Sequence, residues 1–156
     1  MRKTLLLVFS HGLFALAGFV AGIYTLPILT APDAPTAVEV AATSENAEYR
    51  GEFRRDLAGS DRFHWGEGTV SISPQAVTLS GAISPGPDYR LYLAPEFVED
   101  EAGFLEIKER AFEVGDVKTF ENFIVAVPEG TELDRYDTVV VWCESFGEFI
   151  TSARFR

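Results

Sequence analysis

Two side chains in this 156-residue chain have chemistry that their surroundings can tune: the single cysteine, Cys143, and one of two histidines, His64. A thiol does redox work by cycling through sulfenic acid or a mixed disulfide, and both routes need a thiolate that a reactant can reach. Cys143 closes the apolar run Thr138-Val139-Val140-Val141-Trp142 and is followed by Glu144, whose negative charge is expected to raise the thiol pKa. Arg154 or Arg90 would offset that charge if the fold brought either close. Three roles stand open for Cys143: a buried structural thiol packed as a small hydrophobe, a reactive redox thiol, and a ligand to a bound cofactor. His64 lies between Phe63 and Trp65, just ahead of a glycine-rich turn. It can serve as an axial haem or metal ligand, as the base that activates Cys143, or merely as a ring bonded to loop backbone. A hydrolase dyad of these two residues lacks any identifiable orienting residue or oxyanion turn. Trp65 and Trp142 suit electron relay or sugar stacking, but a tryptophan inside a strand is ordinarily core.

Composition removes most other chemistries. One cysteine closes no intramolecular disulfide and builds no thiolate-rich zinc, iron–sulfur or haem-attachment motif. A blue-copper site wants a methionine besides two histidines and a cysteine, and Met1 is the sole methionine. No metal is therefore assigned, and no cofactor is identified. The 24 acidic residues outnumber 13 basic ones, giving a formal charge of −11, so nucleic acid is not an expected partner. Glu96, Glu99, Asp100 and Glu101 form an acidic loop without the spacing or glycine of a calcium hand, and read as a solvated surface.

The elements that must position Cys143 and His64 follow from the distribution of charge. No ionised side chain lies between Lys3 and Asp33, and residues 5–29 are apolar apart from Ser10, His11 and Thr25. As a helix these residues span about 37 Å, enough to cross a hydrocarbon core of ~30 Å. Arg2 and Lys3 precede the run, so residues 1–4 read as a cytoplasmic stub and 5–29 as a single-pass signal anchor. A removed signal peptide begins the same way, but its apolar region is shorter, and Leu29-Thr30-Ala31-Pro32 is a poor cleavage site. Gly18 and Gly22 form a GxxxG pair that would permit a close helix–helix approach, and His11 is expected to be neutral and locally bonded. Residues 30–48, rich in Ala, Pro, Thr, Ser and Glu, read as a flexible linker. The part beyond the membrane, periplasmic or cell-surface, keeps all 24 acids and, without Arg2 and Lys3, 11 bases, for a charge of −13.

From residue 49 to 156 the pattern turns to short strands. Thr69–Ser73 alternates polar and apolar residues, and Pro74-Gln75 turns the chain into Ala76–Ser80. Tyr89–Leu93, Phe104–Lys108, Phe120–Val127, Thr138–Cys143 and Phe149–Phe155 continue the series. The run ending at Cys143 is unbroken enough to predict a central strand covered on both faces. The expected fold is all-β: a small antiparallel sandwich or barrel, preceded by one transmembrane helix. Ten of the 13 phenylalanines lie after residue 48 and supply core area.

Three segments of this region carry a resemblance. His64-Trp65-Gly66-Glu67-Gly68-Thr69-Val70 offers a histidine, a glycine four residues on, and a strand. Gly86-Pro87-Asp88-Tyr89-Arg90-Leu91-Tyr92-Leu93 is a Gly-Pro-Asp turn leading to a Tyr-Leu strand. Tyr136-Asp137-Thr138-Val139-Val140-Val141-Trp142-Cys143-Glu144-Ser145-Phe146 joins a Tyr, a Val strand, Trp-Cys and a nearby Phe. In this order, over residues 51–155, the chain resembles the electron-transfer DM-thirteen domain, a small extracytoplasmic β module found beside DOMON domains in animals and often membrane-anchored in bacteria. The resemblance implies a redox or electron-transfer accessory role centred on Cys143, with a redox protein as partner. The alternative is a non-catalytic binding module of the cell envelope. One segment departs from the family: where a Gly-x-Gln-x-Tyr-x-Leu/Ile-Pro strand is usual, this chain reads Thr119-Phe120-Glu121-Asn122-Phe123-Ile124-Val125-Ala126-Val127-Pro128.

Overall fold

A computed structural model describes residues 2–156. Helix α1, Arg2–Thr30, contains none but uncharged side chains after Lys3, and none of its residues is buried. Among the described residues it is the one helix long and apolar enough to cross a membrane, a property it shares with signal sequences. His11 bonds locally, its Nδ1 donating to the Leu7 carbonyl at 2.8 Å.

The flexible linker expected over residues 30–48 is instead largely folded onto the domain. Thr36 and Glu39 form a reciprocal capping box, the Thr hydroxyl accepting from Glu39 N at 3.2 Å and the Glu carboxylate accepting from Thr36 N at 2.7 Å. They start helix α2, Ala37–Thr43, whose Val40 is buried. Asn122 Nδ2 donates to the Pro35 carbonyl at 3.1 Å, so the segment is pinned on both sides of the cap. The Ala and Pro content was thus no sign of a free tether, because one apolar residue at the right helical position suffices to dock a short helix.

Eight strands follow: β1 Tyr49–Phe53, β2 Gly66–Ile72, β3 Ala76–Ile83, β4 Tyr89–Ala94, β5 Phe112–Val117, β6 Glu121–Ala126, β7 Thr138–Cys143 and β8 Glu148–Arg154. They form two four-stranded antiparallel sheets, ordered β1-β2-β3-β6 and β5-β4-β7-β8. This is the sandwich, not a closed barrel. The all-β description fits the domain only approximately, because helix α3, Glu101–Ile107, packs beside it. At one edge β1 approaches β8 so closely that a side chain at Gly51 would meet the Arg154 carbonyl at 2.6 Å.

Strand β7 is buried at all six positions, as a central strand should be. Val139, Val141 and Cys143 face the interior between the sheets, with Val70, Leu79, Leu91 and Ile150. Val140 and Trp142 face the other way, into a second cluster with Leu57, Phe104, Ile107 and Phe149. That second cover is α3, where the sequence pattern predicts a strand over Phe104–Lys108. The Asp100 carboxylate caps the helix by accepting from Gly103 N at 2.8 Å. Phe104 and Ile107, three apart, both reach the core, so helical spacing overrode the apparent alternation.

Candidate functional site

The registers bring four connections to one end of the sandwich. Tyr89, the first residue of β4, pairs with Cys143, the last of β7, and with Val117 of β5. Gly66 pairs with Ile83, and Ala82 with Glu121. The β1–β2, β3–β4, β5–β6 and β7–β8 connections therefore cluster where β7 ends.

The Gly-Pro-Asp-Tyr turn clasps the end of β7 through three bonds. Cys143 Sγ donates to the Pro87 carbonyl at 3.1 Å, Glu144 N donates to the Asp88 carbonyl at 3.0 Å, and Ser145 Oγ donates to Asp88 Oδ2 at 2.8 Å. Asp88 takes a left-handed φ of 53° to make the turn. Gly86 leaves room for the Tyr89 ring, whose hydroxyl lies 2.3 Å from where a Cβ would sit. The His64 segment joins from the other side, with Ser84 N donating to the Trp65 carbonyl at 2.9 Å and Trp65 N to Ser84 Oγ at 3.2 Å. All three sequence segments thus meet at this end.

Cys143 is 3% exposed. Burial pushes its thiol up, and the Asp88 and Glu148 carboxylates add to the rise against opposing backbone donors at Phe146 and Ser145. The direction matches the sequence expectation, but the cause differs. Glu144 turns away to Lys108 Nζ at 2.7 Å and to the Tyr92 hydroxyl, and although its partial burial works against ionisation, these partners hold its carboxyl below the ordinary range. Neither expected arginine compensates the thiol. Arg90 is held by Asp88 and Asp116, while Arg154 lies beside Asp137 at the opposite end of β7.

His64 sits in an Asx-type turn. Asp61 accepts from Phe63 N at 2.6 Å, from His64 N at 2.7 Å and from His64 Nδ1 at 3.2 Å. Partial burial opposes ionisation of Asp61, but these donors prevail and keep its carboxyl below the ordinary range. The ring is thus oriented by a carboxylate rather than by backbone, an arrangement that leaves Nε2 for other work. His64 and Cys143 border the same cavity, of about 440 Å³, walled by Phe63, Tyr89, Phe146 and the Val20–Tyr24 stretch of α1. Tyr89 was not singled out in the sequence; its place directly after Gly86-Pro87-Asp88 was the available signal. Glu148 also borders the cavity, but among the described residues no three acidic, histidine or cysteine side chains converge as metal ligands.

The two tryptophans separate. Trp142 is core, 5.1 Å between ring centroids from Phe104. Trp65 lies beneath the Arg55 guanidinium, 3.4 Å from its ring centroid. The acidic loop supplies the cap of α3 through Asp100 and an ion pair of Glu96 with Arg110. The departing segment forms β6, where Asn122 adopts a φ of 49° and accepts from Gly81 N at 3.1 Å.

Residues 56–155 match the family model described as Electron transfer DM13. The chain therefore belongs to the DM13 electron-transfer domain family. No curated protein and no solved structure matched it.

Proposed function

We propose that the chain is a membrane-anchored, extracytoplasmic redox accessory module, with Cys143 as its reactive residue and His64 as that residue's partner. The observation that carries this reading is a nearly buried thiol that still borders a cavity shared with an oriented imidazole. Membership of an electron-transfer family supports the redox class. Anchoring rests on α1 and on Arg2 and Lys3 at its start.

The raised thiol pKa keeps Cys143 protonated at neutral pH, so it is not a standing nucleophile. Reaction with a redox protein takes the form of thiol–disulfide exchange. The Cys143 thiol loses its proton, its sulfur attacks a disulfide of the partner, the partner's S–S bond breaks, and the released thiolate takes up a proton. His64, which borders the same cavity with its ring oriented by Asp61, is the group proposed to exchange that proton. Alkylation of the native protein by N-ethylmaleimide, a small neutral reagent, tests the reading. Reaction in the folded state, slower in His64→Ala, supports it; labelling of Cys143 only after unfolding would sink it. The apolar walls also support a second reading, a non-catalytic binding module. A ligand that shields Cys143 from alkylation while leaving it reduced would favour that alternative.

A further inference from the structure

The loop end that holds Cys143 carries two large apolar side chains that are mostly exposed. Phe63 is 56% exposed and Phe146 54% exposed, and between them lie the uncharged Pro85, Gly86 and Pro87. Of the carboxylates here, Asp61 is held by its loop and His64 and Asp88 by Ser145 and Arg90, while Glu148 also borders the cavity. We infer that this rim rests in the outer leaflet of the bilayer that α1 crosses, an inference that depends on the anchoring proposed above.

Two independent features fix the occupant as lipid. First, Phe63 packs edge-on against Tyr24, with ring centroids 6.2 Å apart. Tyr24 precedes Thr30 by six residues, or about 9 Å of helix, so Phe63 lies level with the apolar run and not with the charged chain beyond it. Aromatic residues at that depth occupy the headgroup boundary. Second, the chain leaves α1 at Thr30 and is pinned by Asn122 at Pro35, and Asn122 stands next to Glu121 at this same end. Five residues reach at most about 18 Å, which denies the domain any posture with its loop end far from the membrane. The cavity beside Cys143 therefore opens at the lipid boundary, and molecules dissolved in the leaflet reach it without crossing bulk water.

The test uses the full chain, with Cys143→Ser, in phosphatidylcholine vesicles. Phe63→Cys, Phe146→Cys and Glu129→Cys are each labelled with monobromobimane; Glu129 is exposed near the opposite end. Both aromatic positions are solvent-facing in the protein, so the substitutions leave the two core clusters intact. Lipids carrying a nitroxide near the headgroup are expected to quench the labels at 63 and 146, and quenching by aqueous iodide is lost there but retained at 129. Equal iodide quenching at all three sites, in chain that resists alkaline carbonate extraction, would overturn the membrane contact alone. Release by carbonate would overturn the anchoring itself, and this inference with it.

Discussion

Cys143 and Gly86 show how much of the site depends on single atoms. A β-carbon at Gly86 would collide with the Tyr89 hydroxyl, itself on a buried ring, and displace the Pro87 carbonyl that accepts from the thiol. Gly86→Ala is expected to lose roughly 1–3 kcal/mol in urea unfolding and to speed alkylation of Cys143. The thiol also gives stability a pH dependence. Its folded pKa lies above the ordinary value of 9.0, so its contribution is complete below pH 9 and is lost as pH rises toward the folded pKa. The stability difference between the native protein and Cys143→Ala should therefore shrink as pH rises above 9, with a folded-state alkylation rate still climbing there. A plateau near neutrality would mean a thiolate, contrary to the burial described. At this scale the sequence disclosed the sign of the thiol shift and named Cys143 and His64, which the fold places on one cavity. It hid the partners, because whether Glu144 faces Cys143 or Lys108 depends on which side of β7 the turn leaves.

At the scale of elements, the legible parts were those with a clean period. The β2–β3 hairpin, the fully covered β7 and the β4 strand all follow from alternation or unbroken apolarity. Strand β5 was not readable, since Glu113, Gly115 and Asp116 interrupt any apolar pattern in an edge strand. Phe104-Leu105-Glu106-Ile107-Lys108 satisfies two periods at once, and only the cap at Asp100 and the need to cover Trp142 decide for the helix. The helix started by the Thr36–Glu39 capping box, seven residues within a segment read as a linker, is too short to stand alone and forms because β3 and β6 receive it. Two predictions belong here. Val40→Ala should cost about 1–3 kcal/mol for the α2 contact, read as faster amide exchange over residues 36–48 with β7 unaffected. Phe104→Ala should cost about 3–5 kcal/mol, read by urea unfolding, because it uncovers Trp142 and empties the second cluster.

For the whole molecule, topology gathers the chemistry at one end. Antiparallel pairing returns every second connection to the same side, so three segments widely separated in sequence meet around one cavity. The charge of the chain beyond α1 is strongly negative, yet the rim beside that cavity presents proline, glycine and phenylalanine. Attraction of that rim to a membrane should accordingly be insensitive to salt, since no basic patch displaces counterions. Iodide shielding at residues 63 and 146 that persists from low to high sodium chloride is the expected result, and shielding that vanishes with salt would instead indicate an electrostatic contact.

The segment from Ala31 to Glu48 has a mechanical consequence. With α1 anchored as proposed, force between the membrane and anything gripping the domain would enter at Thr30, but the first ladder hydrogen bonds bearing it belong to β1, at the far end of the sheet. Tension thus peels the strap in sequence, first the Asn122 bond to Pro35, then the Val40 contact, before it loads any strand. Released, those 18 residues form a tether of at most about 60 Å. On the membrane contact inferred above, this short leash would also be a spool, and a sufficient pull would let the domain range away from the bilayer without unfolding.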